Sequence, residues 1–269
     1  FPLLVKFIDA SSDLSVQVHP DDDYAASLGF GEYGKEEMWY IIHAEPGAKL
    51  VYGLKPHVTA ESFKKAIEDG TVESCLNYID VCAGDVINIH PGIVHSIGKG
   101  IVLAEIQQNS NITFRVYDYN RIGKDGQKRP LHIDNAMDVI SFCCSNRNEK
   151  CKGIKVELDN HSSKRYMVSN KYFGAELYEI YGKVSENADG SRFFVYIFIE
   201  GEGEIHYKSG KEAVKMGGTV FIPANMGNYV LEGRFKAIKS YVPDLKEDIL
   251  FPLMRYGYSL EELAESIGG

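Results

Sequence analysis

The segment GDVINIHPGIVHSI (84–97) contains two short apolar strands separated by a Pro-Gly turn. Proline cannot donate to a strand ladder and glycine tolerates tight turns, so the chain is expected to turn at this point. The segment GGTVFIPANMGNYVL (217–231) repeats the order of glycine, apolar strand, proline, short turn and strand. This repeat predicts two similar β-barrels. Histidines occur in the first copy and not in the second, which favours a single active site in the first half.

Short apolar or alternating segments, separated by turn residues, continue on both sides of the two copies. Many short strands of this kind are typical of β-barrels and β-sandwiches, so we predict a mainly β fold. We expect few helices. One begins after the capping residue Thr59, another after the capping box Ser259-x-x-Glu262, and residues 21–36 are expected to form a loop.

Residues 121–165 are weakly patterned and lie between the two copies. We therefore predict a catalytic half at 1–125, a linker region at 126–165 and a second half at 166–269. The sequence begins at Phe1, already in strand-like sequence and without an initiator methionine, so we expect that a leading segment precedes it.

The composition argues against several classes of function. The 29 basic and 38 acidic residues give a formal net charge of −9 without a basic block, so we expect no nucleic-acid partner. No apolar stretch reaches membrane-spanning length and no signal peptide is visible, which favours a cytoplasmic protein that does not enter a membrane. The cysteines have neither CxxC nor disulfide-framework spacing and are expected to be reduced thiols: Cys75, Cys82, Cys143, Cys144 and Cys151.

Several polar residues in the first half have the chemistry of metal ligands. Gln17 and His19 lie two apart on a predicted strand, so both side chains point to the same face. Glu37 stands where a polar loop enters an apolar strand, and His95 follows the Pro-Gly turn. Imidazole, carboxylate and amide oxygen all suit a catalytic metal with open positions. Two other histidines compete with His95 for this role: His90 and His43.

Four ordered segments resemble the type I mannose-6-phosphate isomerases in their short bacterial form. They are FPLLVKFIDA (1–10), LSVQVHPDDDYA (14–25), GKEEMWYI (34–41) and PGIVHSIGKGIVLAEIQQNSNITFRVYDYNR (91–121). The resemblance implies a cupin superfamily protein with a double cupin fold, which consists of two β-barrel or jelly-roll halves with a few short helices. It also implies one Zn²⁺ ion per chain.

The resemblance assigns roles to individual residues. It implies that the metal is held by four side chains, and not by His90 or His43: Gln17, His19, Glu37 and His95. It implies three catalytic positions: Lys35, Glu105 and Arg115. It implies that the substrate is contacted by Ser15, Lys35 and Arg115. Since the second half has no Q-x-H pair and no matching glutamate, we expect it to hold no metal.

The activity implied by the resemblance is the interconversion of mannose 6-phosphate and fructose 6-phosphate through an enediol. The proton-transfer base is left open between Glu105, Lys35 and a metal-bound water. Arg115 either stabilises the enediolate, binds phosphate, or forms a structural pair with Asp118. Two other functions compete with this one, a non-enzymatic cupin that senses sugar phosphates and an iron-dependent cupin oxygenase.

The partner implied by the resemblance is a hexose phosphate, and we expect a monomer or a weak homo-oligomer. An acidic protein that handles an anionic substrate needs a local group of cations. We expect these cations to gather at the mouth of the first barrel: Lys35, Lys99, Arg115, and either Arg121 or Lys124.

Overall fold

A computed structural model describes residues 1–123, 125–142 and 150–267 of the protein. The chain divides into two compact units. Unit 1 contains Phe1 and Leu3–Lys150, and unit 2 contains Pro2 and Cys151–Gly269. Both units are built mainly from β-strands, which confirms the predicted mainly β class. The functional division into catalytic half, linker and second half remains a prediction.

Unit 1 contains nine strands among its described residues, arranged in two sheets. The strands are β1 (Leu3–Ala10), β2 (Val16–Val18), β3 (Glu37–Ala44), β4 (Lys49–Leu54), β5 (Leu76–Asp80), β6 (Val86–Ile89), β7 (His95–Ile97), β8 (Ile101–Gln108) and β9 (Phe114–Tyr117). One sheet has the order β1-β8-β3-β6 and the other β5-β4-β7-β2-β9. All the strand pairs in both sheets are antiparallel.

The core of unit 1 lies between its two sheets. Trp39, Ile87 and Leu103 of the four-stranded sheet pack in one cluster with Leu50 and Ile97 of the five-stranded sheet. All five side chains are buried. Because side chains alternate between the two faces of a strand, residues two positions away from these core residues also point between the sheets.

Helices cover the outer face of the five-stranded sheet. They are α2 (Ala60–Glu68), α3 (Ile133–Val139) and a 3₁₀ turn at Val72–Cys75. Phe63 and Ala136 of these helices pack against Val16 and Val51 of the sheet. The predicted helix after Thr59 is confirmed, since Thr59 and Ser62 cap each other through reciprocal backbone hydrogen bonds.

The prediction of a continuous loop at 21–36 was wrong, because α1 (Asp22–Ser27) lies within it. The side chain of Asp21 accepts a hydrogen bond from the backbone N–H of Tyr24 and caps the helix. Ala25 is fully buried on its inner side. The run of three aspartates at 21–23 was therefore a helix start, with acidic residues in the first turn.

Unit 2 contains seven strands among its described residues. They are β10 (Ile154–Glu157), β11 (Ser163–Ser169), β12 (Gly174–Ala188), β13 (Phe194–Tyr207), β14 (Gly210–Lys215), β15 (Thr219–Ile222) and β16 (Gly227–Tyr241). They form one sheet in the order β10-β11-β12-β16-β13-β14, with β15 paired to β13. Strands β12, β13 and β16 supply most of an aromatic core that includes Tyr178, Phe198 and Phe235.

The sequence repeat corresponds to a structural repeat. In unit 1 the repeated segment forms β6, a Pro-Gly turn and β7, and in unit 2 it forms β15, a turn after Pro223 and β16. The end of the chain forms a π-helical turn (Leu245–Leu250), α4 (Phe251–Arg255) and α5 (Leu260–Ile267). The predicted capping box is confirmed, since Ser259 and Glu262 exchange two hydrogen bonds at the start of α5.

No helix in the described parts of the chain is long and apolar enough to cross a membrane. Cys75 and Cys82 are free thiols. Cys143 and Cys144 lie outside the described residues.

Unit 2 encloses a buried ionic group. Glu176 accepts a hydrogen bond from Lys164 at 3.2 Å, and Lys239 donates to Glu186 at 2.7 Å. Burial alone would raise the pKa of Glu176, but the ammonium groups of Lys164 and Lys239 and the hydroxyl of Tyr241 hold that pKa below its ordinary value of 4.5. The ionised Glu176 carboxylate therefore stabilises the folded state above pH 4.5, and this contribution is lost as the pH falls through the lowered pKa.

We predict that Glu176→Gln lowers the free energy of unfolding by about 3–5 kcal/mol at pH 7, because it leaves the largely buried Lys164 without its countercharge. The difference in unfolding free energy between the variant and the unsubstituted protein should become smaller as the pH falls, because Glu176 itself then becomes neutral. Urea unfolding at pH 7 and in acid measures both effects.

The matched control is Glu200→Gln. Glu200 is exposed and pairs with Lys236 at 2.9 Å, so this change should cost no more than about 1 kcal/mol. The ionic role of Glu176 would be contradicted if both variants lost the same unfolding free energy. It would also be contradicted if the loss in Glu176→Gln did not depend on pH.

Candidate metal centre and active site

Four strands of unit 1 direct polar side chains into the space between the sheets. Glu37 lies two residues before the core residue Trp39 on β3, Glu105 lies two after Leu103 on β8, and His95 lies two before Ile97 on β7. Gln17 on β2 is the register partner of His95. Polar residues thus occupy positions that otherwise belong to the hydrophobic core.

His19, Glu37 and His95 form a compact buried group. Nε2 of His19 lies 3.2 Å from Oε1 of Glu37, and Nε2 of His95 lies 3.9 Å from Oε2 of the same carboxylate. One donor atom from each of the three side chains lies within 4.8 Å of the other two. Among the described residues this is the one group of three or more such side chains close enough to share a metal ion.

The side chain of Gln17 borders this group. Its amide nitrogen lies 3.3 Å from Nε2 of His95. A half-turn of the amide presents its oxygen at the same place, and an amide oxygen is a metal donor. Gln17 is half-buried, whereas the other three residues are at most 1 % exposed.

The donor atoms are poorly satisfied by the protein itself. Nδ1 of His95 lies 2.8 Å from the backbone oxygen of Ile93, and if it donates there the lone pair on Nε2 is left free. Both ring nitrogens of His19 and Oε1 of Glu37 are buried and make no hydrogen bond in the described residues, although Oε1 is ion-paired with Lys35. Buried polar atoms are nearly always hydrogen-bonded, so a group with three donor atoms that make no hydrogen bond has the chemistry of a metal site.

Charge around Glu37 favours its ionised form. Lys35 is buried, and its Nζ lies 3.1 Å from Oε1 of Glu37. Burial would raise the pKa of Glu37, but its neighbours His19 and Lys35 hold that pKa well below the ordinary value. Burial lowers the pKa of His19 to about 3 and outweighs the opposing effect of Glu37. At neutral pH the group therefore combines a carboxylate with a neutral imidazole, the protonation states that bind a metal.

Glu105 is a second buried carboxylate in the same space. Its Oε1 accepts a hydrogen bond from Nζ of Lys6 at 2.7 Å, and its Oε2 accepts one from the indole N–H of Trp39 at 3.2 Å. Burial and the negative charge of Glu37 raise the pKa of Glu105, against the opposing charges of Lys6 and Lys35. A raised carboxyl pKa is typical of catalytic acids and bases.

Arg115 and Ser15 lie on the strands next to the cluster. Arg115 on β9 is the register partner of Gln17, and its guanidinium donates to the backbone oxygen of Pro130 at 2.9 Å. Ser15 is buried just before β2, two residues from Gln17. Asp118, the alternative partner considered for Arg115, instead accepts hydrogen bonds from two other arginines: Arg121 and Arg129.

The competing histidines lie outside the cluster. Nδ1 of His90 lies 3.1 Å from Glu36, and its Nε2 lies 3.3 Å from Asn88. His43 is exposed. The geometry therefore brings His95, and neither rival, beside His19 and Glu37.

The expected gathering of cations is only partial. Lys35 lies at the cluster and Arg115 lies on the adjoining strand, but Lys99 lines a separate surface cavity with Ser96. Ser96 follows His95 on β7 and therefore faces the opposite side of the sheet. Arg121 donates to Asp118 and to the backbone oxygen of Asp13. Lys124 lies outside the described residues.

Two site residues were missed in the sequence analysis. Lys6 is the register partner of Glu105, and the pairing joins strands about a hundred residues apart, so no local pattern could reveal it. Trp39 could have been found, because it lies two residues after Glu37 on a predicted strand and therefore shares its face.

Three comparisons with known proteins point to the same protein family. Residues 162–242 match the family model described as "Mannose-6-phosphate isomerase, cupin domain". The chain is 37% identical over 233 residues to a Bacillus subtilis (strain 168) protein named "Probable mannose-6-phosphate isomerase GmuF", covering 87% of this chain and 72% of that protein. It is 35% identical over 242 residues to "Mannose-6-phosphate isomerase ManA" of the same organism, covering 90% and 75% respectively.

The fold is also similar to a solved structure. The crystal structure of the mannose 6-phosphate isomerase from Bacillus subtilis aligns with a TM-score of 0.82 at 32% identity, over 89% of this chain and 75% of that one. The two β units and the buried His–Glu–His group define a cupin protein with a candidate metal centre. The chain belongs to the type I mannose-6-phosphate isomerase family of that superfamily. The double cupin fold implied by the sequence resemblance is thereby confirmed.

We predict that a divalent metal ion raises the melting temperature of the protein. A metal that binds only the folded state stabilises it by about 2.7 kcal/mol when its free concentration is 100 times the Kd. His19→Ala and His95→Ala should each remove most of this gain. Thermal unfolding with and without added zinc, after chelator treatment, measures the effect.

The control for this measurement is His90→Ala. His90 is bound to Glu36 and Asn88 outside the cluster, so this variant should keep the metal-dependent gain even if its own stability is lower. If the metal-dependent rise in melting temperature is lost in His90→Ala and kept in His95→Ala, the proposed position of the metal centre is wrong.

Proposed function

We propose that this protein is a zinc-dependent aldose–ketose isomerase that interconverts mannose 6-phosphate and fructose 6-phosphate. One observation carries the proposal, the buried group of His19, Glu37 and His95 with its donor atoms that make no hydrogen bond in the described residues. The family to which the chain belongs supports the choice of substrate. The reaction moves a proton between C2 and C1 of the sugar through an enediol.

We assign the metal to Gln17, His19, Glu37 and His95. Two imidazoles, one carboxylate and one amide leave coordination positions open, as a catalytic metal requires. A bound zinc ion supplies Lewis-acid stabilisation of the negative charge that develops on the sugar oxygens. Lys35 supports the site by neutralising Glu37, from which it is separated by 3.1 Å.

We assign proton transfer to Glu105. A general base works best when its pKa lies near the operating pH, and burial together with the charge of Glu37 raises the pKa of Glu105. Lys6 holds Oε1 of this carboxylate, which orients the group while leaving lone pairs for the proton. Lys35 is the second candidate, but its ammonium group is already paired with the metal ligand Glu37.

The positions of Arg115 and Ser15 suggest how the substrate lies. Arg115 pairs with Gln17 beside the metal donors, so its guanidinium suits the oxygens at C1 and C2. Ser15 lies two residues along the chain from Gln17, a Cα separation of about 6.6–6.8 Å in extended chain. We therefore propose that the phosphate lies at the Ser15 end and that the reacting carbons lie near His19.

Further proposals concern the whole chain. We propose that the first half, 1–125, is catalytic, that 126–165 is a linker region, and that the second half, 166–269, holds no metal. We also propose a cytoplasmic protein, monomeric or weakly self-associating, whose partner is a hexose phosphate and not a nucleic acid. The net charge of −9 supports the exclusion of nucleic acid.

The experiment that tests the proposed activity is a coupled assay of mannose 6-phosphate conversion on the purified protein. Activity should disappear after treatment with a chelator and return with zinc. Sugar-phosphate binding without turnover in the zinc-loaded protein would favour a sensing role. Consumption of dioxygen with ferrous iron would favour an oxygenase.

We predict that Glu105→Gln lowers kcat by about 10²–10⁴-fold, the contribution of a general base. The amide keeps the shape of the side chain, so bound zinc per chain should stay the same. Steady-state kinetics and elemental analysis of the purified variant measure the two quantities. Near-normal turnover would exclude Glu105 as the base.

We predict that Arg115→Lys lowers kcat by about 10- to 100-fold, which corresponds to losing a charge-assisted hydrogen bond of about 1.5–3 kcal/mol. The control is Lys99→Ala, which removes a cation on the opposite face of the sheet and should leave both kcat and KM unchanged. A rise in KM without a fall in kcat for Arg115→Lys would instead indicate that this residue binds the phosphate.

A further inference from the structure

Trp39 is the single tryptophan of the chain, and it lies at the centre of the site. The side chain is fully buried on β3, on the same face as Glu37. Its indole N–H lies between two carboxylates, 3.1 Å from Oε2 of Glu37 and 3.2 Å from Oε2 of Glu105. The rings of Trp39 and His95 pack edge to face, with 5.4 Å between ring centroids. One side chain therefore contacts three members of the site.

The indole N–H makes the two oxygens of Glu37 inequivalent. Oε2 accepts the hydrogen bond from Trp39. Oε1 lies 3.2 Å from Nε2 of His19 and 3.1 Å from Nζ of Lys35, with which it is ion-paired, but it makes no hydrogen bond in the described residues. A carboxylate held in this way presents Oε1 to a metal ion beside His19, because Oε2 is already bound by the indole. A carboxylate without such a partner can bind a metal through both oxygens.

The same N–H also restrains Glu105. The oxygens of Glu105 are held on one side by Lys6, at 2.7 Å, and on the other by Trp39. Trp39 and Glu105 are also register partners on neighbouring strands. The distance between the metal ligand Glu37 and the base Glu105 is therefore set through a rigid, fully buried ring.

We propose that Trp39 is a positioning residue whose indole N–H holds Oε2 of Glu37, so that Glu37 would bind a metal through Oε1 alone, and keeps Glu105 at a fixed distance from Glu37. The proposal rests on the proposed metal site. It explains why a polar N–H is placed in an apolar core, where an unpaired donor would be costly. A one-oxygen carboxylate also keeps an additional coordination position open for the oxygens of the substrate.

The first test uses the unsubstituted protein and the fact that it has one indole. Labelling with ¹⁵N-tryptophan gives one indole N–H signal in the ¹H–¹⁵N spectrum. Zinc binding should shift this signal, because it withdraws electron density from the carboxylate that accepts the hydrogen bond. Metal binding is verified in parallel by competition with a coloured chelator. A signal that does not move while zinc binds would overturn the proposal.

The second test is Trp39→Phe, which keeps an aromatic ring and removes the N–H. Loss of a hydrogen-bond partner to a metal ligand should weaken metal affinity by about 10- to 100-fold. Cobalt substitution gives an independent reading. If Glu37 turns to bind through both oxygens, the coordination number rises and the visible absorption of the cobalt protein weakens.

The matched control is Ile41→Val, which removes one methylene from the next inward position of the same strand and the same core cluster. It should lower stability without changing metal affinity or the cobalt spectrum. If Trp39→Phe behaves like this control, the indole is only a core residue and the proposal is wrong.

These readouts are separate from isomerase activity. A protein that binds metal with the expected dependence on Trp39 but does not convert mannose 6-phosphate would contradict the proposed reaction alone. If the Phe variant does not fold, the indole signal of the unsubstituted protein still decides the question.

Discussion

The centre of unit 1 depends on a buried negative charge, the carboxylate of Glu37. An isolated carboxylate in an apolar interior is costly unless charges or hydrogen bonds compensate for it. Lys35 and the N–H of Trp39 provide part of this compensation, at 3.1 Å each. The imidazoles of His19 and His95 approach the same carboxylate but remain neutral. The donor set that remains for a divalent metal is Oε1 of Glu37, which is ion-paired with Lys35 but makes no hydrogen bond in the described residues, and the ring nitrogens of the two histidines.

The fold makes this arrangement possible by placing the site between two sheets. The side chains of Trp39, Leu103 and Ile97 belong to the core, and the ligands and the base occupy the next inward positions on the same strands. The rigid apolar core therefore fixes the positions of the polar side chains that neighbour it on the same strands. The helices pack on the outer face of the five-stranded sheet, so they bury that face without entering the site.

The two units use buried charge in opposite ways. In unit 2, Glu176 is paired with Lys164 and Tyr241, and Glu186 is paired with Lys239 and Tyr178. These ions pair with one another, and the described residues of unit 2 contain no group like His19, Glu37 and His95 that could hold a metal. The buried charges of this group in unit 2 therefore neutralise one another, whereas those around Glu37 in unit 1 are only partly neutralised. That contrast agrees with the sequence repeat, in which the histidines occur in the first copy.

The sequence by itself determined the mainly β fold, the repeat and the helix caps at Thr59 and Ser259, because these depend on strand periodicity and short-range capping chemistry. It also pointed to Gln17, His19, Glu37 and His95, although the choice of His95 over His90 needed the family resemblance. Only the tertiary structure brought Lys6 beside Glu105 and moved Lys99 to the opposite face of the sheet. Both facts depend on the pairing and facing of strands far apart in the chain, which local sequence patterns do not encode.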